Sequence, residues 1–141
     1  MTGGDRAAPR PETAFMRMSE AGALTVRVRH EAEYVLVTVA GEADFASVAG
    51  LRERLFALTA TGRPLVADLD RVSFIDAAGL GVLAGAARRA AAYGGSLAVV
   101  CARPRIRRLI GIAGLDGAVS LAGTADEALG MLSPAAKAAA V

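Results

Sequence analysis

Asp68-Leu69-Asp70-Arg71-Val72-Ser73-Phe74-Ile75-Asp76-Ala77-Ala78-Gly79-Leu80-Gly81-Val82-Leu83 decides how the chain folds, because a strand ends and a helix begins at Asp76. Leu65–Leu69 and Val72–Ile75 are apolar and β-branched, the mark of a buried strand region. Asp76 then opens a helix that runs to about Tyr93 and is closed by Gly94-Gly95. A carboxylate at the N-cap accepts a hydrogen bond from a first-turn amide that has no partner within the helix. Ala77, Ala78 and Gly79 leave those amides uncovered by side chains. Gly81 and Gly85, four apart, are expected to let the helix lie close on its neighbours. The product is a flat, accessible helix N-terminus with a partial positive charge, able to receive an acidic group or a phosphate.

Upstream of this stretch, Leu24, Val26 and Val28 alternate with Thr25, Arg27 and Arg29, and a second run, Tyr34–Ala40, follows Glu31-Ala32-Glu33. Two alternating runs with so short a connection form an antiparallel hairpin. Val48, Leu51, Leu55 and Leu58 then mark one face of a helix with Ser47 as its N-cap, stopped by Gly62 and Pro64. Downstream come a strand at Ser96–Cys101, a helix at Pro104–Ala113 carrying Ile106, Leu109 and Ile110, and a strand at Val119–Leu121. Thr124-Ala125-Asp126-Glu127 is a capping box that opens a last helix to about Leu132. The order ββαβαβαβα implies an α/β fold, a mixed β-sheet packed with about four helices through parallel crossovers. Residues 1–20, with Gly3, Gly4, Pro9, Pro11 and no periodicity, read as a disordered tail. Residues 21–132 form a single domain, and 133–141 a flexible C-terminal tail.

Composition narrows the function. Of the 141 residues, 54% are hydrophobic but only 4% aromatic, so Ala, Val and Leu must build a closely packed helix-on-sheet core. The net charge of +2 gives little support to nucleic-acid binding. Arg103, Arg105, Arg107 and Arg108 form the one basic cluster, without interleaved aromatics. It is a solvated helix face or a contact for an acidic partner surface, and no nucleic acid is expected. Cys101 is the only cysteine, so no disulfide within the chain and no Cys-based metal site can form; at the end of a buried strand it reads as inert. His30 is the only histidine, which excludes a Ser–His–Asp triad and a His-based metal site. With no catalytic constellation, neither enzymatic activity nor a cofactor is expected. The longest apolar run, Ala77–Ala87, is about half of the ~20 residues a membrane span needs, and the first twenty residues lack a signal-peptide core. The expectation is a soluble cytoplasmic protein without membrane insertion, and the Ala, Gly and Arg bias fits a GC-rich bacterial genome. Gly79-Leu80-Gly81-Val82-Leu83-Ala84 formally matches the dinucleotide fingerprint. The acid required about 20 positions on is missing, since Leu97–Cys101 stands there, and the glycines fall past the N-cap instead of in the turn.

The opening stretch resembles the signature of STAS domains of the anti-sigma factor antagonist family, Asp-Leu-x-x-Val-x-Phe-[Met/Ile]-Asp-Ser-[Ser/Thr]-Gly-Leu-Gly-Val-Leu. Three further stretches fit in the same order: Gly41-Glu42-Ala43-Asp44, Gly94-Gly95-Ser96-Leu97-Ala98-Val99-Val100, and Pro104-Arg105-Ile106-Arg107-Arg108-Leu109 followed by Gly114-Leu115. The resemblance covers roughly residues 24–132. It implies a single STAS-type domain that works by partner switching. Such proteins bind an anti-sigma factor, a serine kinase of the histidine-kinase-like ATPase type, and so free a sigma factor for transcription. The kinase phosphorylates the serine directly after the Asp, which ends the interaction, and a phosphatase restores it. Here Ala77 occupies that phosphoacceptor position and Ala78 the neighbouring one, so the resemblance supports binding without the usual switch. Ser73 is the nearest hydroxyl, a weak substitute because it lies within the strand. The candidate partner-binding residues are Asp76, Ala77, Ala78, Gly79 and Leu80, with Asp44, Ser47 and Arg108. Asp44 and Ser47 either edge that surface or a weak nucleotide site, or simply start a helix, the reading preferred for such residues. The alternative role is a STAS subunit of a stressosome-like or lipid-transport assembly, and a homodimer is compatible with either.

Overall fold

The computed structural model describes residues 13–17 and 24–140. In chain order these form β1 (Thr13–Arg17), β2 (Leu24–His30), β3 (Val35–Ala43), α1 (Val48–Thr59), β4 (Pro64–Ile75), α2 (Ala77–Ala92), β5 (Ser96–Val100), α3 (Pro104–Ile112), a 3-10 turn at Leu115–Gly117, β6 (Ser120–Ala122) and α4 (Ala125–Ala140). The strands lie in one six-stranded sheet in the same order as in the chain. β1, β2 and β3 pair antiparallel, and β3 to β6 pair parallel. The ββαβαβαβα order and the mixed sheet expected from the sequence are both present, with β1 added at the edge.

Each parallel crossover steps to the next strand in the same direction, and right-handed crossovers then put α1, α2 and α3 on one face. Burial follows this layout. Leu24, Val26 and Val28 of β2 and Val35, Val37 and Val39 of β3 join Leu51, Leu55, Leu83, Ala86, Ile106 and Ile110 of the three helices in one core. Val66, Ala98, Val100 and Ala122 point to the opposite face, where Ala128 and Leu132 of α4 cover them. Val66, Ala98 and Val100 are buried on the second face while Leu65, Ala67, Leu97 and Val99 fill the first. Strands buried on both faces read as continuous apolar runs, as Leu65–Ala67 of β4 and Leu97–Val100 of β5 do.

β4 is longer than an alternating reading allows because it bulges twice against β3, between the pairs Thr38–Asp68 and Ala40–Arg71 and again between Gly41–Val72 and Glu42–Phe74. Its core-facing residues are therefore Leu65, Ala67, Leu69, Val72 and Ile75, with the step of two replaced by a step of three at each bulge. Leu65–Leu69 and Val72–Ile75 are one strand interrupted in phase.

Two boundary expectations differ from the structure. Thr13–Arg17, placed by sequence in a disordered tail, forms β1 opposite Thr25–Arg29 of β2. The segment TAFMR has no alternation to announce it, and the backbone ladder along the edge of β2 supplies what the side-chain pattern does not. The remainder of residues 1–20 lies outside the described residues. At the other end α4 continues past Leu132 to Ala140, carried by alanines, the residues with the strongest helix propensity; Val141 lies outside the described residues.

The glycines of α2 divide differently from expectation. A Cβ on Gly79 would stand 2.6 Å from the Ala43 carbonyl oxygen and 2.7 Å from Ile75 Cγ1, so the first turn of α2 rests directly on the ends of β3 and β4. A Cβ on Gly85 would stand 3.0 Å from Phe56 Cζ, as at a close-packing position, whereas one on Gly81 would meet nothing within 4 Å, and Gly81 faces solvent. Gly79→Ala is expected to destabilise the protein by about 1–3 kcal/mol through overpacking. Gly81→Ala is expected to stabilise it by about 0.5–1 kcal/mol through helix propensity alone. Urea titration of the two variants checks both signs, and a neutral Gly79→Ala would show that the helix start can shift off β3.

Candidate partner-binding surface

α2 is the central helix of its layer, and it begins at the carboxyl ends of β3 and β4. The last pair of that ladder is Ala43–Ile75, and the Asp76 amide continues it by donating to the Ala43 carbonyl at 3.2 Å. The Asp76 carboxylate then acts in two directions. One oxygen accepts from the Gly79 amide at 3.1 Å and caps α2. The other accepts from the Phe45 amide at 3.0 Å and fastens the β3–α1 loop to the helix start. Ala77 is exposed in the first turn and Ala78 and Leu80 are half-buried, so the surface above the cap is low and largely apolar.

The β3–α1 loop beside it is held from within. Asp44 Oδ1 accepts from the amides of Ala46 and Ser47 at 3.0 Å each. Ser47 sits at the N-cap of α1 but makes no capping bond; its hydroxyl donates to the Glu42 carbonyl at 2.6 Å and accepts from the Asp44 amide at 3.1 Å. Ser47 is only 3% exposed. Asp44 and Ser47 therefore shape the loop, and Ser47 is not available to a partner, which corrects its place among the candidate contacts. What the loop presents instead is Phe45, 84% exposed and next to Asp76. Sequence reasoning passed over Phe45, although a large apolar residue in a turn, out of phase with Val48, Leu51 and Leu55, was a visible signal.

Asp76, Ala77, Ala78, Gly79 and Leu80 are thus brought together with Asp44 and Phe45. Gly79 is buried beneath the surface as its spacer. Two grooves flank the exposed face of α2. One, of about 990 Å³, lies against α1 and includes Phe45, Phe56 and Ala78. The other, of about 460 Å³, is lined by Ala77, Leu80, Ala113 and Leu115 among others. Arg108 is exposed on α3 but lines neither groove. The basic cluster to which it belongs is divided: Arg103 Nε donates to the Asp70 carbonyl at 3.0 Å and Arg107 Nη1 to the Cys101 carbonyl at 2.8 Å, while Arg105 and Arg108 are exposed. Ser73 is exposed in β4, its hydroxyl 3.3 Å from the Gly41 carbonyl. Cys101 is fully buried, and burial pushes its thiol up from the ordinary value; its Sγ lies 3.9 Å from the Arg103 carbonyl oxygen. Among the described residues no three His, Cys, Asp or Glu side chains group so as to hold a metal ion, and no helix is long and apolar enough to cross a membrane.

The sequence profile of the STAS domain matches residues 23–128. The anti-sigma-B factor antagonist of Bacillus subtilis is 35% identical over 98 residues, 70% of this chain and 90% of that protein. The chain belongs to the STAS domain family, among the anti-sigma factor antagonists. The crystal structure of an anti-sigma factor antagonist from Mycobacterium paratuberculosis superposes on this STAS domain with a TM-score of 0.72 at 32% identity, covering 78% of this chain and 94% of the other. The Bacillus cell fate determinant SpoIIAA in its phosphorylated form shares the fold, with a TM-score of 0.58 at 24% identity over 75% of this chain and 97% of that one. These relatives favour the antagonist reading over that of a stressosome-like or lipid-transport subunit.

Asp76→Ala removes both carboxylate bonds of this STAS domain and is expected to cost about 1–2 kcal/mol of stability. Asp76→Asn keeps an acceptor for Gly79 but turns a donor toward the Phe45 amide. It should retain most of the melting temperature while the β3–α1 loop loosens, which faster amide hydrogen exchange at Phe45 and Ala46 would report. Equal losses for the two variants would mean that the helix cap carries none of the stability.

Proposed function

We propose that this STAS domain binds an anti-sigma factor through the surface around the N-terminus of α2, and so releases a sigma factor for transcription in the bacterial cytoplasm. The observation that carries this reading is the placement of Ala77: exposed in the first turn of a helix whose cap, Asp76, also holds the neighbouring loop with its exposed Phe45. The site residues in this proposal are Asp76, Ala77, Ala78 and Leu80, with Asp44 positioning the loop, Gly79 the spacer beneath, and Arg108 an outlying contact on α3. The protein acts by association; no chemistry is assigned to it. The partner is of the serine-kinase type, and the interaction runs without the usual phosphoswitch because neither Ala77 nor Ala78 has a hydroxyl. A phosphate at that place would add about −1.5 to −2 charge and three acceptor oxygens. Its absence leaves the surface in one state, with activity set by abundance or another input.

Ala77→Glu separates affinity from stability. An acid in the first helical turn interacts favourably with the helix dipole by about 0.3–1 kcal/mol, so the fold should not suffer. Binding to the anti-sigma factor should weaken tenfold or more, as charge and bulk enter the contact. Ala77→Ser should restore phosphorylation by an active kinase partner. Calorimetric titration of the variants, with a labelled-ATP assay beside it, reads both; undiminished binding by the Glu variant would place the interface elsewhere.

A further inference from the structure

The groove between α1 and α2 has features that the surface at the N-terminus of α2 does not explain. Its floor is apolar and low: Val48, Ala49, Ala78 and Val82 line it, and Gly81 and Gly85 add no side chains, so the backbone of α2 is itself part of the floor. Phe45 and Phe56 contribute the aromatic surface. The charged residues on it are Arg52, Arg88 and Arg89 against Glu53 alone. The Arg52 and Arg89 guanidinium groups lie over the Phe56 ring at 5.1 and 4.8 Å from its centroid, and Arg89 also faces Tyr93 at 5.7 Å. Stacking engages the flat face of a guanidinium and leaves N–H donors for an acceptor. Arg89 Nε spends one on Thr59 Oγ1 at 3.4 Å, and none of the three arginines is paired with a carboxylate among the described residues. In a chain whose net charge is only +2, three arginines and one glutamate line a single apolar groove.

We infer that this groove receives an amphipathic helix with an acidic flank, supplied by the anti-sigma factor. The apolar face of that helix lies on the floor, and its carboxylates meet Arg52, Arg88 and Arg89. The stretch of α2 from Ala78 to Arg89 is about 16 Å long at about 1.5 Å per residue, roughly three turns. That length suits anchors at i, i+3, i+4 and i+7, the pattern of a helix laid in a groove. Small residues at Ala49, Gly50, Ala78 and Gly81 allow its backbone a close approach. α4 of a second copy does not match this occupant, since it carries its acids only in the first turn and Glu127 is engaged there by the Gly123 amide. Ala78 and Phe45 belong both to the groove and to the surface proposed above, so one partner can cover the two continuously. The inference rests on that proposal for the identity of the partner.

Two measurements on the full chain with the purified anti-sigma factor test it. Ala49→Cys places a thiol in the groove, and native Cys101, fully buried with its thiol pushed up, stays silent to maleimide. Complex formation should slow maleimide labelling of Ala49→Cys at least tenfold. The double charge reversal Arg52→Glu with Arg88→Glu should weaken the complex at least tenfold, with an unchanged circular dichroism spectrum, while Lys at both positions retains most of the affinity. Both results are required. Unslowed labelling, or affinity within twofold of wild type for the charge reversal, overturns the groove as a docking site, as does protection of Ala49→Cys by ATP alone. Ala77→Glu keeps the two readings apart: if it weakens binding while the groove variants do not, the proposed function stands and the groove inference fails.

Discussion

Both oxygens of the Asp76 carboxylate are taken by backbone amides, one from the helix it caps and one from the loop across the strand ends, and its own amide extends the β3–β4 ladder. Strand pairing, helix start and loop position therefore meet in one residue. Loss of such a capping carboxylate costs about 1–2 kcal/mol, a sizeable fraction of the 5–15 kcal/mol that holds a domain folded. Gly79 belongs to the same constraint. With the Ala43 carbonyl oxygen 2.6 Å from where a Cβ would stand, any other residue would force the helix start and the ladder apart. The low relief above Asp76, with Ala77 exposed, is a consequence of that closure.

The neighbouring strand ends are tied by similar means. Asp70 lies beside the first β4 bulge; its side chain accepts from the Ala102 amide at 2.7 Å and its carbonyl from Arg103. The two bulges carry Val72 and Ile75 back to the core face after each extra residue, so β4 reaches Asp76 in register with the end of β3. Ligands of open α/β sheets bind outside the carboxyl ends of the strands, where the loops and helix starts gather. The candidate surface occupies that position, and the carboxylates of Asp44, Asp70 and Asp76 accept from backbone amides of the loops there.

Much of this was legible in the residues. Alternation in Leu24–Val28 and helical spacing in Val48–Leu58 name their elements because each buries one face only. Asp76 as a cap, and the Thr124–Glu127 box, follow from amides that need partners. Thr124 Oγ1 does accept from the Glu127 amide at 3.1 Å, although Glu127 reaches back to Gly123 and not to the cap residue itself. What stayed hidden depends on the third dimension. The bulges look like a break in β4, and β1 is held by the backbone of its neighbour. Gly79 and Gly81 are indistinguishable in sequence but differ entirely in what lies above them. Arg103 and Arg107 share a cluster with Arg105 and Arg108, and only geometry shows which of them reach backbone carbonyls. Ser47 has the right identity for a cap, yet Asp44 reaches the loop amides first, and the serine turns inward.

The substitution that sets this chain apart from the family pattern is also the one its structure tolerates most easily. Ala77 makes no bond that a serine would be needed for, because the cap function rests on Asp76 one residue earlier. An alanine at this position therefore leaves the helix start, the loop and the core undisturbed. A surface that cannot acquire charge at its centre can be built more apolar, and Phe45, Ala77, Ala78 and Leu80 are so arranged. On the proposed reading, association is then governed by mass action alone: occupancy of the partner follows the ratio of protein concentration to Kd, and a tenfold change in that ratio is worth about 1.4 kcal/mol. On that reading, control rests on how much of the protein is present and not on the charge state of one residue.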